Sequence, residues 1–87
     1  MINSKKKKIN IVNYKSGDLV EVSEGMLYYS SEWTSQNGLV PGTGRYFRTK
    51  VIGEFVKNSP DSGNLYKIIK IDGELFEVIH KQIKVKE

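Results

Sequence analysis

A chain of 87 residues holds one domain, and at that size folding hides only about 60% of the surface an unfolded chain exposes, so one modest core is the limit. With no cysteine, a disulfide framework, a Cys-based zinc site and a thiol nucleophile are all excluded. The formal charge of +4 comes from Lys5, Lys6, Lys7 and Lys8 alone: fourteen basic residues less these four leaves ten, against ten acidic ones, so the signal is a basic tail on a neutral body and not a basic face.

The first eight residues are polar and lysine-rich, and are expected to form a disordered tail ahead of one domain spanning residues 9–87. The apolar stretch after the lysines, Ile9 to Asn13, is shorter than the roughly 7–15 apolar residues of a secretory signal. No run approaches the roughly 18 of a membrane span, so a cytoplasmic protein is expected. Ile9 to Tyr14 reads as a first strand, and Asp18 to Val22 has the alternation of a second, with the turn-like Lys15-Ser16-Gly17 between them. Gly25 permits a turn, and Met26 to Tyr29 is a third apolar segment. From Ser30 to Gly44 the composition is that of a long loop, a binding candidate on length alone.

Arg45 to Lys57 reads as one long strand with Phe47, Thr49, Val51 and Phe55 on one parity, and with Gly53 marking a bulge or bend where a small barrel passes a strand between two layers. Asn58 to Asn64 is a turn cluster. Leu65 to His80 is a hairpin about Asp72-Gly73, the dipeptide of a tight type I′ turn. That turn sets Ile71 opposite Glu74, Ile69 opposite Phe76 and Lys67 opposite Val78, giving a core face of Ile69, Ile71, Phe76 and Val78. The other face mixes Tyr66, Ile68, Leu75 and Ile79 with Lys70 and Glu77. Gln82 to Lys86 closes the sheet as a lysine-guarded edge, with room for one 3₁₀ turn before Ile83. No stretch carries a helical apolar period over three turns, so the fold expected is all-β: a small, partly open barrel of five to seven short strands with one long loop.

Gly17-Asp18-Leu19-Val20-Glu21-Val22, Leu27-Tyr28-Tyr29-Ser30-Ser31 and Tyr66 to Gly73 come in the order found in bacterial and phage SH3-like domains, including the cell-wall-binding type attached to lysins. The chain resembles that family over roughly three quarters of its length by order. The resemblance implies an SH3-like barrel without catalysis. The Gly-Trp pair of the cell-wall type has no counterpart in Val78 to Ile83, so it implies a phage-like module that grips another protein more than one that grips peptidoglycan.

Pro41-Gly42-Thr43-Gly44-Arg45-Tyr46 has glycines spaced as in a phosphate-binding loop. Leu39 stands where the first glycine belongs, Arg45 replaces the lysine, Tyr46 replaces the Ser/Thr, and no helix follows. His80 is the lone histidine, with no cysteine to share a metal, and no serine is placed as a nucleophile elbow. Asp18, Asp61 and Asp72 sit where turns need them. No enzyme, cofactor or metal is therefore expected.

The residues expected to bind are aromatic and basic. Tyr28, Tyr29, Trp33 and Tyr46 form an aromatic set, three of which flank or occupy the loop, where rings with polar tips line a groove; whichever of Tyr28 and Tyr29 points inward belongs to the core. Arg45, Tyr46, Arg48 and Lys50 interleave charge with an aromatic, and strand alternation would put Tyr46, Arg48 and Lys50 on one face, the arrangement used for single-strand nucleic acid. The first expectation is an adaptor or inhibitor that binds a protein through Met26 to Tyr46. Nucleic acid and cell wall are the alternatives, with a homodimer through the outer face of the Leu65 to His80 hairpin as a further option. No membrane partner is expected.

Overall fold

The computed structural model describes residues 13–60 and 65–86. The tetralysine tail and Ile9 to Val12 of the first expected strand lie outside them, as do residues 61–64 of the turn cluster; Asn13 and Tyr14 are not in a strand. Seven antiparallel strands form one sheet: β1 (Leu19–Val22), β2 (Gly25–Tyr29), β3 (Gly44–Phe47), β4 (Val51–Asn58), β5 (Tyr66–Ile71), β6 (Glu74–Ile79) and β7 (Ile83–Val85). Their spatial order is β3-β2-β6-β5-β4-β1-β7, so β3 and β7 are the free margins. One apolar cluster draws Val20 and Val22 from β1, Leu27 from β2, Phe47 from β3, Phe55 from β4, Ile69 and Ile71 from β5, Phe76 and Val78 from β6, and Ile83 from β7. A sheet whose every strand reaches the same core must coil around it, which makes this a partly open barrel.

The β5–β6 hairpin has the register the sequence dictates, with Ile71 opposite Glu74, Ile69 opposite Phe76 and Lys67 opposite Val78. Asp72 and Gly73 both take positive φ, 53° and 79°, as a type I′ turn requires. Lys67, drawn to the core side by this register, is buried, and its ammonium donates to Asn58 Oδ1 at 2.8 Å. That bond offsets part of the cost of taking the charge out of water. The 3₁₀ turn before β7 spans His80–Gln82, and Gln82 Oε1 accepts from the Ile79 N–H at 3.0 Å.

Two expectations are corrected. Arg45 to Lys57 is not one strand: it breaks at residues 48–50 because β3 pairs with β2 while β4 pairs with β1 and β5. The register shift in β4 falls between Phe55 and Lys57 and not at Gly53. Gly53 lies instead where β4 passes from one neighbour to the other: it faces Val20 of β1, and the next residue, Glu54, is opposite both Leu19 and Lys70. A Cβ at Gly53 would stand 3.0 Å from Ile71 Cγ1 and 3.3 Å from the Lys70 carbonyl, so the missing side chain lets β5 pack over the crossing.

The long loop is also not a loop throughout. A helix, α1 (Ser31–Gln36), lies inside it and packs on β6. The Ser30 hydroxyl caps its first turn by accepting from the Trp33 N–H at 3.1 Å. At the other end Gly38 takes φ 66° and the Leu39 N–H reaches back to the Thr34 carbonyl at 2.9 Å, the bond that closes a Schellman motif. A tight turn then joins it to β3: Pro41 fixes one φ, Gly42 takes φ 92°, and the Thr43 N–H donates to the Val40 carbonyl at 3.2 Å. No helix among the described residues is long and apolar enough to cross a membrane.

Candidate binding site

The β2–β3 hairpin sorts the expected binding residues onto two faces. Tyr29 is opposite Phe76, so its ring turns to the core side and stacks on Phe76 at 4.7 Å between centroids; Trp33 stacks on its far side at 6.2 Å. Tyr29 thus packs against the core, and the half-buried Trp33 ties the helix to it through that ring. Arg45 belongs to the same side. Its guanidinium lies 4.6 Å from the Phe47 ring centroid and forks between Glu74 Oε1 at 3.0 Å and Asp72 Oδ2 at 3.1 Å, while the Tyr29 hydroxyl donates to Glu74 Oε1 at 3.1 Å. With both terminal nitrogens engaged, Arg45 ties β3 to the β5–β6 turn.

Burial is the main cause that raises the Tyr29 phenol above its ordinary value near 10, with the Glu74 hydrogen bond and charge adding to it and the Arg45 charge opposing; Tyr14, stacked on Phe55, is raised by burial. A raised phenol contributes stability that is present in full below the unfolded value and is lost as pH rises through the folded one. Urea midpoints should therefore fall as the pH climbs past about 10, and the double variant Tyr14→Phe with Tyr29→Phe should flatten that fall. An unchanged slope in the double variant would count against both environments.

The opposite face carries the exposed residues. Met26 is opposite Tyr46 and Tyr28 is opposite Gly44, which places Met26, Tyr28 and Tyr46 as cross-strand and diagonal neighbours. They are 44%, 54% and 64% exposed. Gly44 is the floor beneath them: a Cβ there would meet the Leu27 carbonyl at 2.5 Å, Met26 Sδ at 3.1 Å and Tyr28 Cδ1 at 3.1 Å. No family model, curated protein or solved structure matches this chain. The site therefore rests on its own geometry.

Arg48 and Lys50 fall in the break between β3 and β4, so the Tyr46, Arg48, Lys50 strand face expected for nucleic acid does not exist. Lys50 pairs with Glu21 at 3.4 Å, and Lys84 approaches the same oxygen at 3.9 Å. With Lys81 and Glu21 itself they line a shallow pocket of about 140 Å³, so its cations already face a carboxylate. Arg48 is exposed and has no ion-pair partner among the described residues. On the outer face of the β5–β6 hairpin Ile68 is buried and Leu75 and Ile79 are half-buried, so the chain itself covers much of what a second copy would use there. Among the described residues no three His, Asp or Glu side chains gather as a metal site, and both glycines of the phosphate-loop spacing are accounted for, Gly42 by its turn and Gly44 by the β2 contact.

Met26 and Gly44 are not among the aromatic and basic residues expected to bind. Met26 shares parity with Tyr28, a signal present in the sequence; Gly44 becomes meaningful only once β3 is set against β2.

Proposed function

We propose that the chain is a non-catalytic, SH3-like binding module that takes another protein on the face formed by Met26, Tyr28 and Tyr46. The single observation that carries this is the placement of two exposed tyrosines and a methionine side by side over a glycine. Aromatic residues and methionine are enriched at the cores of protein interfaces, and tyrosine supplies contact area at low entropic cost. Arg45, Tyr29 and Trp33 then act as the frame that holds the hairpin, and not as contacts.

The test is a titration of the purified partner, identified by affinity capture from the source cells. Tyr28→Ala and Tyr46→Ala should each weaken binding tenfold or more, about 1.4 kcal/mol, with an unchanged β-type circular dichroism spectrum. Tyr66→Ala, on the far hairpin, should leave binding intact. Retention of full affinity by both β2–β3 variants would remove this face from consideration.

A further inference from the structure

In an antiparallel ladder, residue pairs that exchange hydrogen bonds alternate with pairs that do not. The Tyr29 N–H donates to the Thr43 carbonyl at 3.0 Å, which fixes the phase of the β2–β3 ladder. With Leu27 opposite Arg45 and Gly25 opposite Phe47, the bonded positions of β3 are Arg45 and Phe47. The main-chain N–H and C=O groups of Gly44 and Tyr46 therefore point away from β2, toward the free margin of the sheet, where no strand pairs with them among the described residues.

The two margins are unlike. At β7 the outward groups belong to Ile83 and Val85, by the same reasoning from the Ser23 to Gln82 bond, and Lys84 and Lys86 flank them. Edge lysines are a common guard against strand pairing. β3 has no lysine, no proline and no register shift, its neighbouring outer face is the Met26–Tyr28–Tyr46 surface, and Arg48 stands exposed just beyond its end without an ion-pair partner among the described residues. An open edge beside an apolar face, with an exposed cation at its end, suits one kind of occupant.

We propose that β3 accepts an extended peptide segment of the partner as an eighth strand, with apolar side chains on the Tyr46 side and an acidic residue against Arg48. This rests on the binding-module reading and specifies how that face is used. Main-chain bonds to Gly44 and Tyr46 supply sequence-tolerant affinity, while the tyrosine surface and Arg48 set the preference.

The probe is a short, blocked peptide of alternating valine and threonine closed by two aspartates, beside one closed by two lysines and one N-methylated at the amides that would face β3. Amide NMR on the full chain should show shifts centred on residues 44–48. Exchange at the Gly44 and Tyr46 amides should slow tenfold or more, while Arg45, already bonded to β2, stays unchanged. Tyr46→Ala should weaken the aspartate peptide several-fold. Tyr46→Pro should abolish binding, because it also removes the outward N–H without taking a bond from the β2 ladder. Arg48→Glu should reverse the preference between the aspartate and lysine peptides. The N-methylated peptide, which needs no protein variant, should not bind.

Equal binding by the N-methylated peptide, shifts centred on β7, or no shifts with any peptide overturns the proposal. A dimer that protects Gly44 and Tyr46 without peptide gives the edge to a second copy and overturns it as well. If the tyrosine variants lose the natural partner while the Gly44 and Tyr46 amides stay unprotected in its complex, the binding face stands and strand addition falls.

Discussion

Replacing Phe76 with alanine is expected to cost about 3–5 kcal/mol, the range for deleting a buried aromatic ring. Phe76 is fully buried at the centre of β6, stacked face to face with Tyr29 and edge-on to Phe47 at 5.7 Å. Its loss removes the surface on which Tyr29 rests, and with it the support of Trp33 and the helix. Domains have total stabilities of about 5–15 kcal/mol, and one this small belongs toward the low end, so the variant should be partly unfolded at ambient temperature. In thermal unfolding the midpoint should drop by at least about 12 °C, and Phe76→Leu should restore part of it. A drop of only a few degrees would mean that the ring cluster is not the centre of the core.

The second large effect is expected at a residue with no side chain. Alanine is ordinarily favoured over glycine in a strand by about 0.5–1 kcal/mol. At Gly44 the added carbon would stand 2.5 Å from the Leu27 main-chain carbonyl, which can move only with β2 itself. Overpacking of this kind costs about 1–3 kcal/mol, so the clash outweighs the propensity and Gly44→Ala should destabilise. It should also separate Tyr28 from Tyr46 and weaken partner binding, although no contacting side chain has changed. Urea unfolding with a binding titration checks both; a variant that is more stable and binds normally would show that the close approach does not matter.

Local chemistry made the β5–β6 hairpin legible. Asp72-Gly73 specifies the turn, the turn specifies the register, and the register places Ile69, Ile71, Phe76 and Val78 in the core, where they lie. The break at residues 48–50 carried no such mark: no glycine or proline interrupts it, and Phe47, Thr49 and Val51 keep the alternation of an unbroken strand. Only the competing demands of β2 and β1 for the two halves create the corner. The six residues of α1 are too few for an apolar period, yet its ends were written in Ser30 and in Asn37-Gly38. Those residue types serve turns and caps alike, so composition alone favoured a loop. Which of Tyr28 and Tyr29 faces out was open until β2 was set against β6, and the two faces of the candidate site follow from that pairing.

The unlike margins of the sheet have a consequence for assembly. Copies that joined edge to edge in a repeating head-to-tail manner would need β3 of one to meet β7 of the next, and such contacts, unless they close into a ring, grow into fibres. Lys84 and Lys86 at β7 oppose that step, and Arg48 just beyond β3 adds a like charge at the other margin. Under the proposed strand addition, one segment at β3 would use the open margin, while the lysines at β7 disfavour a second addition there.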